Sequence, residues 1–140
     1  MRYFLPEILL LHAAFTDIRE REISGAMLLL FGIFGMICAI FGRAVDIPDT
    51  LFGAAIGGIM MAISYLTGGE LGMGDGMLLA VTGLFLGLRQ NIVLLAGALF
   101  LSALFSIVLL VKGKKIKQEY PFVPFLFVVY SAMLFGGIPI

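Results

Sequence analysis

Long apolar stretches dominate the chain, and charged or turn-forming residues fall between them rather than within them. A helix crossing the hydrocarbon core of a bilayer needs about 20 predominantly apolar residues. Six stretches approach that length: 3 to 17 or 18, 24–42, 50–67, 70–88, 91–111 and 121–139. The first is interrupted only by Pro6, Glu7 and His12, and the fifth carries no charge at all. Pro121 and Pro124 fall at the start of the sixth, where a helix tolerates proline. No small-residue cleavage site separates the first stretch from the second, so it reads as a span and not as a signal peptide. The pattern predicts an all-α integral membrane protein, a bundle of six transmembrane helices. Residues 1–140 form a single domain in this reading, with nothing left over for a separate soluble one.

Composition sharpens that picture. Hydrophobic residues make up 61% of the 140 and charged residues 13%, where a soluble domain carries roughly a quarter charged. This excludes an ordinary soluble globule and a disordered segment alike. The formal net charge of zero removes any electrostatic case for nucleic-acid binding. Cys38 is the single cysteine, so neither a disulfide framework nor a thiolate metal site is expected. No metal and no cofactor are called for.

Lysine and arginine in the connecting segments set the orientation. With the N-terminus outside, Arg19, Arg21, Lys112, Lys114, Lys115 and Lys117 fall inside, against Arg2, Arg43 and Arg89 outside. Both termini are therefore expected outside, with the lysine-rich loop anchored near anionic lipid. Glycine, at 18 residues, marks close helix packing: Gly53 and Gly57, and Gly83 and Gly87, are spaced four apart. The methionines and phenylalanines read as lipid-facing or core filler. His12, alone in the first span, reads as an interhelical hydrogen-bond partner.

Ionisable side chains inside spans demand a reason. Asp17 closes the first span, and Asp75 sits in the glycine-rich opening of the fourth. Under the topology above both lie at the cytoplasmic face, where they can meet. Two carboxyl groups sharing a site resist double ionisation, so one holds a proton while the other is charged. That division suits amide hydrolysis: the carboxylate draws a proton from the attacking water, and the acid donates to the carbonyl oxygen and then to the leaving nitrogen. Asp75 opens its helix, where the macrodipole favours charge, and Asp17 ends one, so Asp17 is the expected proton holder. Gly72, Gly74 and Gly76 would let an extended substrate backbone approach. Glu70 is placed to dock a basic segment, or else is a solvated loop acid, as are Glu20 and Glu22. Plainer readings exist for the pair: an Asp17–Arg21 surface pair one turn apart, and Asp75 as a helix N-cap. A small transporter or channel using both acids as a cation or proton site is the main alternative, and a non-enzymatic assembly partner a third.

The segment Gly72-Met73-Gly74-Asp75 resembles the GxGD signature of intramembrane aspartyl peptidases. Its surroundings are similar to the type IV prepilin peptidase family. The block from Asp17 to Gly25 looks like the family's early aspartate followed by a basic stretch and a turn. The aliphatic run after Asp75 and Pro121-Phe122-Val123-Pro124-Phe125-Leu126 in the last span look like two further blocks. The resemblance implies that Asp17 and Asp75 are the catalytic aspartates. It implies substrates of the prepilin, pseudopilin or preflagellin-like class, cleaved at the cytoplasmic face of the inner membrane between a short basic leader and an apolar helix. Two departures stand out: Met77 where many members carry lysine, and Ser24-Gly25 in place of a Pro-Asn turn. With one cysteine and no zinc-binding insertion, the chain looks like the short, peptidase-only branch.

Overall fold

The computed structural model describes residues 4–20, 25–41, 46–68, 72–113 and 121–136, all helical or in short turns. Six helices follow the six apolar runs: α1 (Phe4–Glu20), α2 (Gly25–Phe41), α3 (Ile47–Leu66), α4 (Met73–Leu86), α5 (Leu88–Val111) and α6 (Val123–Phe135). Local chemistry moves several boundaries from where hydropathy alone puts them. Helix α3 begins three residues early because Pro48 fits the first turn after Asp46, where its missing N–H is no loss. Helices α4 and α5 are separated by Gly87 alone, whose φ of 81° lies in the region that favours glycine.

Among the described residues, α3, at 20 residues, and α5, at 24, are the helices long and apolar enough to cross a bilayer unaided. The apolar helices α2, α4 and α6 are shorter, at 17, 14 and 13 residues. The expectation of six helices is met in number, while length supports a crossing for two of them. The outer surface carries the membrane character further. Phe15, Leu30, Phe52, Phe100, Leu110 and Val111 are all exposed, and similar residues cover α1, α2, α3 and α5. A soluble protein does not leave so continuous an apolar surface to water. This is the surface of a membrane protein.

Helix α4 is the axis of the bundle. From Leu78 to Leu86 nearly every residue is buried, as expected of a helix that is apolar all round. Helix α3 lies against it almost without side chains between. A Cβ added to Gly53 would stand 2.6 Å from the Gly83 oxygen, and one on Gly57 would run into the backbone of Ala80 and Gly76. The two glycine pairs singled out in the sequence thus meet across one interface, Gly53 seating against Gly83 and Gly87. Helix α2 seats on α4 through Gly32 and Gly35, beside Val81, Leu84 and Phe85. Helix α1 packs on α6, and α5 packs on α3, α4 and α6.

A polar clamp fastens α3, α4 and α5 around the middle of α4, at Leu79 and Thr82. Asn91, fully buried, donates through Nδ2 to the carbonyls of Gly53 and Leu79, both at 2.9 Å. Thr82 Oγ lies 3.0 Å from Asn91 Oδ1 and 3.1 Å from the Leu79 carbonyl, sharing its proton between them. Asp49 Oδ1 accepts the Leu88 N–H at 3.3 Å, satisfying one free donor at the start of α5.

Candidate active site

Helical spacing puts Asp17 inside the bundle. The buried stripe of α1 runs Leu9, Leu10, Ala13 and Ala14, and Asp17 is the next position on that face. The side chain is half-buried, and its Oδ2 accepts the N–H of Val123, the first residue of α6, at 3.1 Å. Thr16 folds its hydroxyl back onto the carbonyls of His12 and Ala13, away from that contact.

Asp75 is the third residue of α4, not its cap. Gly72 holds the cap position without a side-chain bond, and the Asp75 N–H donates to the Gly72 carbonyl at 3.1 Å. The Asp75 carboxyl folds back over the helix start, so that a Cβ on Gly72 would lie 2.7 Å from Oδ2. Gly72 is bare to make room for that carboxyl. Gly76 is buried against Met61 and Gly57 of α3, with a Cβ there 2.7 Å from Met61 Cγ. Its bareness serves helix packing, which leaves the exposed Gly72 and half-buried Gly74 as the glycines at the site's surface.

The end of α1 meets the start of α6 through the bond from Val123 to Asp17. The two half-buried carboxyl groups lie near enough that the charge of Asp17 acts on Asp75. The dipole of each acid's own helix does not by itself make Asp17 the proton holder. Asp17 also faces the N-terminus of α6, so both acids stand beside a helix start.

Other expected site residues are placed differently. His12 is exposed on α1, outside the helix–helix contacts it was expected to join. Met77 is exposed on α4. Glu70, Arg21, Glu22 and Ser24 lie outside the described residues, as do Arg2, Arg43, Lys114, Lys115 and Lys117 and the side chain of Glu20. The docking role of Glu70 and the Asp17–Arg21 pair therefore have no geometry here. Val123 was missed as a partner of the site. Its signal was the proline-flanked opening of α6, which fixes where that helix starts.

The sequence model of the type IV leader peptidase family matches residues 4–111, from the first residue of α1 to the last of α5. The chain belongs to the type IV leader peptidase family. Both aspartates and the Gly72–Asp75 segment lie within the matched region, whereas α6, which supplies the Val123 amide, lies beyond it. Comparison with curated proteins and with solved structures returned no match. A leader peptidase must hydrolyse an amide.

Proposed function

We propose that this leader peptidase is a membrane-embedded aspartic endopeptidase with Asp17 and Asp75 as its dyad. Its substrates are prepilin, pseudopilin or preflagellin-like precursors, from which it removes the short basic leader. The observation that supports the reading is that the charge of Asp17 acts on Asp75, both half-buried, although two helices, α2 and α3, separate them in sequence. One carboxylate takes a proton from water as the water oxygen attacks the scissile carbonyl. The other, protonated, donates to the carbonyl oxygen, and the amine nitrogen leaves with a proton as the C–N bond breaks. Gly74 and the exposed Gly72 allow an extended backbone to approach Asp75 without side-chain interference.

All six helices cross the inner membrane in this reading, the shorter ones with their ends in the interfacial zone. Both termini lie outside, and the dyad faces the cytoplasm, where the leader of an inserted precursor remains. Glu70, five positions before Asp75 in the sequence, complements that leader's charge.

The test is cleavage by the purified chain in detergent or liposomes. A precursor with a basic leader and an apolar helix is cut, and Asp17→Asn and Asp75→Asn each lower the rate by about a thousandfold or more, the scale of acid–base catalysis. Thermal unfolding of both variants stays that of the wild type. Full activity in either variant removes the dyad. Ion flux dependent on both acids, without proteolysis, transfers the site to a transporter.

A further inference from the structure

The start of α6 has its backbone donors almost completely accounted for. Pro124 has none to offer, and the N–H groups of Phe125 and Leu126 both donate to the Phe122 carbonyl, at 3.0 and 3.5 Å. Within that first turn the Val123 N–H is the donor left over, and it goes to Asp17 Oδ2 across 106 positions of sequence. Val123 is fully buried, so water has no access to replace this acceptor. Only one carboxyl oxygen is engaged. Asp17 Oδ1 has no hydrogen-bond donor among the described residues, and it is the oxygen left to face a water or a scissile carbonyl.

We infer that the backbone amide of Val123 is a positioning group for peptide hydrolysis: it fixes the rotation of the Asp17 carboxyl so that Oδ2 is held and Oδ1 is presented to the reaction. The inference rests on the dyad reading above and extends the site to α6, outside the family-matched residues 4–111. It also gives the prolines of the α6 opening a purpose. Pro121 and Pro124 supply no competing N–H on either side of Phe122 and Val123. A single, sterically fixed donor orients one oxygen, where a fully open helix start would offer several donors to both.

The experiment replaces the Val123 amide by an ester, with the α-hydroxy acid analogue of valine in the full-length chain. The side chain is kept and the N–H removed. The same analogue at Val128, exposed in mid-helix, controls for the weaker carbonyl that any ester introduces. The infrared carboxyl band of Asp17, assigned by its loss in Asp17→Asn, reads the contact directly. With the ester at position 123 the band shifts, and kcat falls about tenfold at an unchanged KM, a loss confined to the transition state. The ester at 128 leaves band and kcat in place.

A band or a kcat indifferent to the ester at 123, or equally sensitive to the one at 128, overturns the positioning role. A wild-type chain that shows the Asp17 band but cleaves no basic-leader precursor overturns the peptidase reading, and the catalytic purpose of the contact with it.

Discussion

The two ends of α4 use polar groups in opposite ways. Toward its C-terminus the helix meets α3 backbone to backbone, and Asn91 closes the junction by satisfying two carbonyls and receiving the Thr82 hydroxyl. Toward its N-terminus the Asp75 carboxyl has no such fastening among the described residues, and Asp17 is held there at one oxygen only. One end is satisfied and rigid, while the other keeps hydrogen-bonding capacity in reserve. Catalysis needs that reserve, since a carboxylate already saturated with donors has no lone pair for water. The rigid end keeps the two acids in register.

The comparison breaks if stability and activity fail to separate along α4. The largest effect on stability is expected from Gly57→Ala, because the new methyl meets the backbone of Ala80 and Gly76, which cannot rotate away. Forcing the helices apart costs about 3 kcal/mol, read as a marked fall in unfolding temperature and in yield from the membrane. Gly58→Ala, one residue along with nothing within 4 Å, is expected to be neutral or slightly stabilising. Equal loss in both variants would mean that α3 and α4 are not packed as described.

Asp17 bridges the two regimes, since it belongs to the site yet also satisfies a buried amide. Asp17→Asn keeps an oxygen to accept from Val123 and loses chemistry alone. Asp17→Ala leaves that N–H without a partner, and about 2 kcal/mol of stability goes with it. Asp75 accepts no such bond, so Asp75→Ala and Asp75→Asn should unfold alike. A thermal comparison of the four variants checks this, and equal stability of Asp17→Ala and Asp17→Asn would remove the second role of Asp17.

How much of this was legible beforehand divides along physical lines. Apolar run length located all six helices, because burying or lipid-solvating a backbone leaves the helix as the economical way to satisfy it. Glycine spacing identified Gly53, Gly57, Gly83 and Gly87 as packing residues. What escaped were relations between distant elements. Asn91 looks like a span boundary in sequence, and its bonds to Gly53 and Leu79 exist only once three helices are assembled. Gly76 reads as part of the acidic motif, yet its neighbour is Met61, fifteen positions earlier. Val123 carries no polar side chain, so no reading of side-chain chemistry points to it. Backbone donors become visible as functional groups only where a helix start is known.

Asn91→Leu measures how much the closed end contributes. The substitution removes the bonds to Gly53, Leu79 and Thr82 together and leaves two carbonyls short of a donor. Interhelical hydrogen bonds in bilayers contribute about 0.6 to 2 kcal/mol, so a loss of about 1–2 kcal/mol is expected. Cleavage per folded molecule should stay within about twofold, because the clamp holds Leu79 and Thr82, one to two turns along α4 from Asp75, and touches neither carboxyl group. A large fall in kcat without unfolding would show that the two ends are coupled and that rigidity at one is transmitted to the other.

The smallest effect concerns the rim of the open end. Glu70 precedes Asp75 by five positions, and as a carboxylate near the dyad it would attract a lysine- or arginine-bearing leader through solvent. Exposed charge pairs are worth about 0.2–1 kcal/mol, so Glu70→Gln should raise KM for a basic-leader precursor by about two- to fivefold and leave kcat unchanged. The same variant should be silent toward a precursor whose leader has been neutralised, and added salt should erase the difference between the two substrates. If KM is indifferent to leader charge in the wild type, Glu70 is a solvated loop acid and the open end recognises its substrate through the apolar helix alone.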